Sequence, residues 1–89
     1  MTDNDIIINI KKILKGKSHE LKLFKRDEQF FGNIIIKIES KNKKYTFITD
    51  RGDIFCNNKL IFAHENHFGG NDDTPIYLLK AIESLIDCY

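Results

Sequence analysis

The 89-residue chain is poor in the residues that define several special classes of protein. One proline and five glycines exclude collagen-like and proline-rich low-complexity sequences. Two cysteines, Cys56 and Cys88, are too few for a disulfide scaffold, so we expect reduced thiols and a cytoplasmic location. The aliphatic run at residues 6–8 is far too short to span a membrane. The length allows a single domain, residues 1–89, whose small core leaves little room for a deep catalytic cleft.

Neither sign of charge dominates the whole chain, but its two parts differ. The formal net charge is +1 at pH 7, so no global field attracts nucleic acid or an anionic membrane. Residues 1–51 carry 12 Lys and Arg against 7 Asp and Glu, a balance of +5, whereas residues 52–89 carry 2 against 6, a balance of −4. This asymmetry has two interpretations: uneven cover of solvent-exposed faces, or a basic face for an acidic partner.

Two segments show the spacing of an amphipathic helix. Near the amino terminus the apolar residues at helical intervals are Ile6, Ile7, Ile10, Ile13 and Leu14. Either Asp3 or Asp5 could cap this first helix, while its β-branched residues leave a strand over residues 6–10 as the alternative. Thr74 and Pro75 predict the start of a second helix, as N-cap and first helical residue. Its apolar positions are Ile76, Leu78, Leu79, Ile82, Leu85, Ile86 and Tyr89.

Between the helices, the apolar period changes to that of half-buried strands. The predicted strands are residues 19–25, 30–39, 44–49, 54–56 and 60–63. Ile34, Ile36 and Ile38 share one face, Ile35 on the other face suggests cover on both sides, and Gly32 could mark a bulge. We therefore expect an α+β fold with an N-terminal helix, an antiparallel β-meander of three to five strands, and a C-terminal helix packed on the sheet.

Cys56, His64 and His67 are the sequence's one cluster of metal-ligand residue types. Their C-x7-H-x2-H spacing lacks the paired knuckles of a structural zinc site, and Glu65 between the histidines does not complete an H-E-x-x-H motif. Cys56 lies in an apolar hairpin, where burial would raise its thiol pKa and make it a poor nucleophile. We therefore expect no enzyme, no catalytic residue, no metal and no cofactor.

Lysines interleaved with aromatic residues in the first half of the chain support a nucleic-acid hypothesis. Lys41, Lys43 and Lys44 lie on the predicted hairpin before the third strand. A sheet that carries lysines and exposed rings could hold single-stranded nucleic acid by stacking and phosphate contact. Two arginines and a near-neutral charge fall short of a typical basic nucleic-acid domain. Binding of nucleic acid is therefore the alternative rather than the first hypothesis.

A series of short motifs runs from Asn4 to Asp50, about half of the chain. They are Asn4-Asp5-Ile6-Ile7 before Ile10-Lys11, a strand around Leu21 to Leu23, Ile34-Ile35-Ile36-Lys37-Ile38, and a hairpin into Tyr45-Thr46-Phe47-Ile48. In this order they resemble the small anti-CRISPR inhibitors that phages make against CRISPR effector nucleases. The inhibitors of this class that imitate DNA are acidic, whereas residues 4–50 of this chain are basic. The resemblance implies only a class, a compact phage or mobile-element protein that blocks a larger machine, and it carries over no functional residue.

We therefore expect a non-enzymatic protein-binding inhibitor of the anti-CRISPR, anti-defence or toxin-immunity type, in the cytoplasm of a bacterial host. Its protein target could be a nuclease or a nucleoprotein complex, and no membrane is involved. The glycine-bearing loop 64–73 is longer than a connection requires, and the partner-binding residues predicted in it are Glu65, His67, Asp72 and Asp73. A solvated loop without a role is the alternative. A homodimer through an edge strand, or through the apolar residues around Ile8 and Ile35, is a further hypothesis.

Reversing the charges of Asp72 and Asp73 to lysine should weaken binding to the target without unfolding the protein, because these residues are predicted to meet a basic groove. Calorimetric titration of the Asp72→Lys and Asp73→Lys variants against the target measures the affinity, and circular dichroism checks the fold. An unchanged affinity would remove this part of the loop from the contact surface.

Overall fold

The computed structural model describes residues 2–27, 29, 33–63 and 74–86. Its elements, in chain order, are helix α1 (Asp3–Leu14), strands β1 (Glu20–Asp27), β2 (Asn33–Glu39), β3 (Lys44–Asp50), β4 (Asp53–Cys56) and β5 (Lys59–Phe62), and helix α2 (Thr74–Ile86). The five strands form one antiparallel sheet in the order of the chain. The predicted α+β meander with a helix at each end is confirmed. Gly32, the predicted bulge, lies outside the described residues.

Helix α1 begins at a capping box formed by Thr2 and Asp5. The Thr2 hydroxyl accepts a hydrogen bond from the Asp5 amide (3.2 Å), and the Asp5 carboxylate accepts one from the Thr2 amide (3.0 Å). The N-cap is Thr2 rather than Asp3 or Asp5, so the prediction for Asp3 is wrong, whereas Asp5 does contribute to the cap as the reciprocal acceptor of the box. The alternative of a strand over residues 6–10 is also wrong, since burial of one helical face outweighs the β-branched preference. The buried residues of that face are Ile6, Ile10 and Leu14.

The hydrogen bond from the Thr2 amide also makes the capping box sensitive to pH. It is the main cause that lowers the pKa of the Asp5 carboxyl below its ordinary value, with the Thr2 hydroxyl second. A carboxyl with a lowered folded-state pKa stabilises the protein above its unfolded pKa. This contribution is lost as the pH falls through the lowered value, so the carboxylate half of the box is in place at neutral pH.

Gly16 and Lys17 close the carboxyl end of α1. Gly16 has a φ of 81°, in the left-handed region that glycine adopts without strain. The resulting turn lets the Lys17 amide donate to the Leu14 carbonyl (2.9 Å), while Lys17 Nζ donates to the Ile13 carbonyl (2.9 Å). A cation at this end also meets the negative pole of the helix dipole. The chain is thereby turned back toward β1.

Both helices pack on one face of the sheet, which we call the inner face, and form the hydrophobic core there. Ile34, Ile36 and Ile38 of β2 are buried on this face, as predicted. The strand register places Phe47 between Ile36 and Cys56. The helices contribute Ile6, Ile10, Leu14, Leu78, Ile82 and Ile86. The core is therefore one continuous layer between the sheet and the two helices.

Helix α2 follows the predicted period except at one position. Its buried residues are Pro75, Leu78, Ile82 and Ile86, at intervals of three and four. Ile76, predicted on the apolar face, is 45% exposed, because it lies one residue, or about 100°, round the helix from Pro75. Phe62 of β5 stacks on Tyr77 with ring centroids 4.6 Å apart, and this contact ties α2 to the far edge of the sheet.

Strand β1 continues to Asp27 and so extends into the predicted turn at residues 25–29. The ladder with β2 continues through Asp27, opposite Asn33, and Arg26 Nε donates to Asp3 Oδ1 at 2.7 Å on the helix side of the sheet. The ion pair joins the end of β1 to the first turn of α1 and is partly buried. A polar cluster that predicts a turn can therefore remain in a strand when its residues pair with a neighbouring strand and with a packed helix.

Thr2→Ala should destabilise the protein by about 1 kcal/mol, because it removes the oxygen that accepts the Asp5 amide. Urea denaturation followed by circular dichroism measures the free energy of unfolding. Thr2→Ser keeps the oxygen and is the matched control, with a stability near that of the parent chain. Equal stability of the alanine and serine variants would show that the capping box does not contribute.

Candidate functional site

The face of the sheet opposite the helices carries an apolar row that runs from β2 to the edge strand β5. We call this the outer face, and its central residues are Leu23, Lys25, Ile35, Lys37, Thr46, Ile48, Phe55 and Leu60. The register pairs Lys25 with Ile35, Ile35 with Ile48, Ile48 with Phe55, and Phe55 with Leu60. Leu60 is 49% exposed, and the other apolar residues of the row, Ile35, Ile48 and Phe55, are half-buried.

Leu23 joins the outer face because β1 contains a bulge. Simple alternation predicts that Leu21 and Leu23 share a face. The register shift between them instead places Leu21 opposite Ile38, on the inner face, and Leu23 opposite Lys37, on the outer face. Leu23 is 38% exposed. Ile35 also does not indicate cover by a helix on both sides, since both described helices pack on the inner face and Ile35 is half-buried.

Opposite charges border the apolar row on its two sides. One border consists of Asp27, Asn33, Asp50 and Asp53, which the register places side by side. Asn33 organises this border, because its Nδ2 donates to Asp50 Oδ1 (3.4 Å) and its Oδ1 accepts from the Arg51 amide (3.1 Å). The opposite border carries Lys37 and Thr46, which pair across β2 and β3. The outer face is therefore apolar at its centre and polarised along the strands.

The antiparallel topology brings lysines from separate parts of the chain to one end of the molecule. The α1–β1 connection, the β2–β3 hairpin and the β4–β5 hairpin all lie at this end. We call it the lysine end, and its exposed lysines are Lys11, Lys12, Lys15, Lys17, Lys41, Lys43, Lys44 and Lys59. The predicted nucleic-acid residues Lys41, Lys43 and Lys44 thus belong to a larger group that includes the last turn of α1.

Two glutamates lie among the described residues of the same end. Glu20 forms an ion pair with Lys22 (2.9 Å), which lowers the pKa of Glu20 and raises the pKa of Lys22, mainly through their hydrogen bond. Glu39 pairs with Glu20 and Lys44 in the register. The Lys22 ammonium offsets the Glu20 charge, so the lysines determine the sign of the potential at this end.

Two surface depressions meet at the lysine end beside His19. A groove of about 640 Å³ between α1 and β1 has Lys11, Lys12 and Lys15 along it. A cleft of about 430 Å³ lies between the α1–β1 connection and the β2–β3 hairpin. The hydroxyl and amide groups that line this cleft are those of Ser18, Ser40 and Asn42. His19 is buried, with its ring 5.8 Å from that of Tyr45, and forms part of both walls.

The candidate metal and loop residues are only partly within the described structure. Cys56 is buried in the core, and its burial raises the pKa of its thiol. His64 and the four predicted partner-binding residues, Glu65, His67, Asp72 and Asp73, lie outside the described residues, so their role stays a prediction. The described ranges contain no group of three His, Cys, Asp or Glu side chains that could hold a metal ion. Within those ranges neither helix is long and apolar enough to cross a membrane.

These features define a small α+β domain whose core lies on one face of the sheet and which has two candidate surfaces, the outer face and the lysine end. No protein-family model matches the chain, and no curated protein or solved structure matches it either. Sequence reasoning found Ile35 on this face but missed the row that it forms with Ile48 and Phe55, although these residues gave a signal: apolar residues on the strand face that alternation leaves polar. The lysine end had no such signal, because its members are far apart in the chain.

The Cys56 thiol should be protected in the folded protein. In a Cys88→Ser background, so that one thiol is counted, Cys56 should react with a disulfide reagent much more slowly in native buffer than in denaturant. The raised folded-state pKa keeps the thiol protonated. Its contribution to the free energy of unfolding is present below the thiol pKa of the unfolded chain, about 8.5, and is lost as the pH rises through the thiol pKa of the folded protein. Equal native and denatured rates would place Cys56 outside the core.

Proposed function

We propose that the protein is a small non-enzymatic inhibitor that acts by binding a larger protein, of the anti-CRISPR, anti-defence or toxin-immunity type. A phage or mobile element would encode it, and it would act in the cytoplasm of a bacterial host. The observation that supports this proposal is the apolar row of the outer face. A fold that needs only one packed face usually places polar residues on the other.

The size of the outer face limits how the partner binds. The strands lie about 4.8 Å apart, and β2 and β3 have seven residues whereas β4 and β5 have four, so the face measures at most roughly 19 by 23 Å, or about 440 Å². A stable interface buries about 800 Å² on each partner. The outer face would therefore supply about half of a standard contact. The partner must also reach one end of the sheet, either the end where the lysines lie or the opposite end, which carries the aspartates.

Charge complementarity describes the partner surface. An apolar patch would cover Ile48 and Phe55, with basic groups toward Asp50 and acidic groups toward Lys25 and Lys37. The charged borders would set the orientation and the association rate more than the affinity, which would come from the buried apolar centre. A nuclease or a nucleoprotein complex is the proposed target class, supported by the resemblance of residues 4–50 to anti-CRISPR inhibitors.

The double variant Leu23→Ser, Leu60→Ser should weaken partner binding at least about tenfold, or about 1.4 kcal/mol, because it removes the two most exposed apolar groups of the outer face. Capture of the tagged protein from a bacterial lysate, after nuclease treatment and at high salt, identifies the partner by mass spectrometry. Calorimetry with that purified partner then gives the dissociation constants.

Ile76→Ser is the matched control, since Ile76 has a similar exposure of 45% but lies on α2. It should bind as the parent chain does. Equal affinity of the double variant and the parent chain would refute the outer face as the contact surface. Recovery of a second copy of the chain as the sole bound protein would replace the inhibitor proposal with self-association.

A further inference from the structure

We infer that the lysine end binds the phosphate backbone of nucleic acid without reading its sequence. The inference depends on where the topology places the lysines and does not depend on the apolar row of the outer face. It adds a second binding surface to the molecule, at one end of the sheet.

The first support is the local excess of positive charge. Eight exposed lysines lie at this end, against Glu20 and Glu39 among the described acids, and Lys22 offsets Glu20. The described acids of the opposite end are Asp3, Asp5, Asp27, Asp50 and Asp53, and they outnumber the two arginines there, which pair with Asp3 and Asp50. With a net charge of +1 for the chain, the molecule is a dipole whose ends have opposite sign. Such a field orients the lysine end toward a polyanion during encounter.

The second support is the distribution of the lysines and their neighbours. Lys15 and Lys41 lie in two different connections, and Lys59 begins β5 directly after a third, so the charge is spread along the end rather than focused on one point. A spread of this kind fits a chain of regularly spaced anions better than a single anion. The cleft beside it offers the hydroxyl and amide groups of Ser18, Ser40 and Asn42. Lysines with neutral hydroxyl and amide donors are the groups that contact nucleic-acid phosphates.

The same composition explains why no base would be read. Arginine favours bidentate contacts to guanine. Both arginines of the chain, Arg26 and Arg51, lie at the opposite end of the sheet. The described rings at this end are those of His19, which is buried, and Tyr45, which is half-buried and stacks on Phe47 with centroids 6.2 Å apart. Neither ring is a platform for stacked bases. Binding should therefore come from phosphate contacts alone and should depend strongly on salt.

Fluorescence anisotropy with a labelled DNA duplex tests the inference on the purified chain. Binding should be detectable at about 50 mM salt and should be lost at about 200 mM. The triple variant Lys11→Gln, Lys12→Gln, Lys15→Gln should weaken binding at least about tenfold. Each phosphate contact contributes about 0.9 to the slope of log K against log salt, so the slope should fall by up to about 2.7. A second triple variant, Lys41→Gln, Lys44→Gln, Lys59→Gln, should have a comparable effect.

The control double variant Arg51→Gln, Lys80→Gln removes two positive charges from the opposite end of the sheet and from α2, and it should bind the duplex nearly as the parent chain does. Loss of binding equal to that of the lysine-end variants would overturn the inference, as would an absence of binding at low salt. Equal affinity for polyglutamate would instead assign the surface to an acidic protein segment. Since no protein partner is present in this assay, its failure leaves the test of the outer face unaffected.

Discussion

The packing of both helices onto one face of the sheet, around Ile36 and Phe47, is the interaction on which the rest of the structure depends. Both residues are completely buried, as are Ile6, Ile10, Leu78 and Ile82 from the helices. Burial of each such side chain stabilises the fold by about 1.5–3 kcal/mol. Because side chains alternate along a strand, a slip of one residue would move Ile36 to the outer face. The core therefore fixes the register of the sheet and decides which residues remain for solvent or a partner.

Local geometry supports the register that the core requires. The β4–β5 hairpin turns through Asn57 and Asn58, whose φ angles of 52° and 69° lie in the left-handed region. Asn57 also binds β3, since its Oδ1 accepts from the Thr46 amide (2.9 Å) and its Nδ2 donates to the Lys44 carbonyl (3.1 Å). Inside the core, the Thr49 hydroxyl accepts from the Ile34 amide (2.8 Å). These bonds satisfy polar groups where the ladder ends and leave the apolar layer uninterrupted.

Most of the fold could be predicted because its signals are local. The buried positions Leu78, Ile82 and Ile86 recur at helical intervals, and Ile34, Ile36 and Ile38 alternate as a strand requires. The predictions were wrong where a contact distant in the sequence, or a break in the strand period, determines the local structure. The end of β1 pairs with β2 through Asp27 and meets Asp3, 23 positions before Arg26, and Leu23 changes face because one residue bulges. The candidate surfaces are less predictable still, since the outer face uses every second residue of five strands.

Topology, rather than composition, determines where the charge asymmetry of the chain lies in the fold. The first 51 residues have the positive balance, yet Asp3, Asp27 and Asp50 from that half lie at the opposite end of the sheet from its lysines. Charge is therefore separated by end of the sheet and not by half of the sequence.

The apolar row is bordered by Lys37 on the side of the lysine end, so the outer face and the lysine end are neighbouring surfaces. A target that carries nucleic acid could meet both at once, its protein against Ile48 and Phe55 and its phosphates against the lysines. Salt would then weaken only the second contact, because screening reduces charge interactions and leaves apolar burial in place.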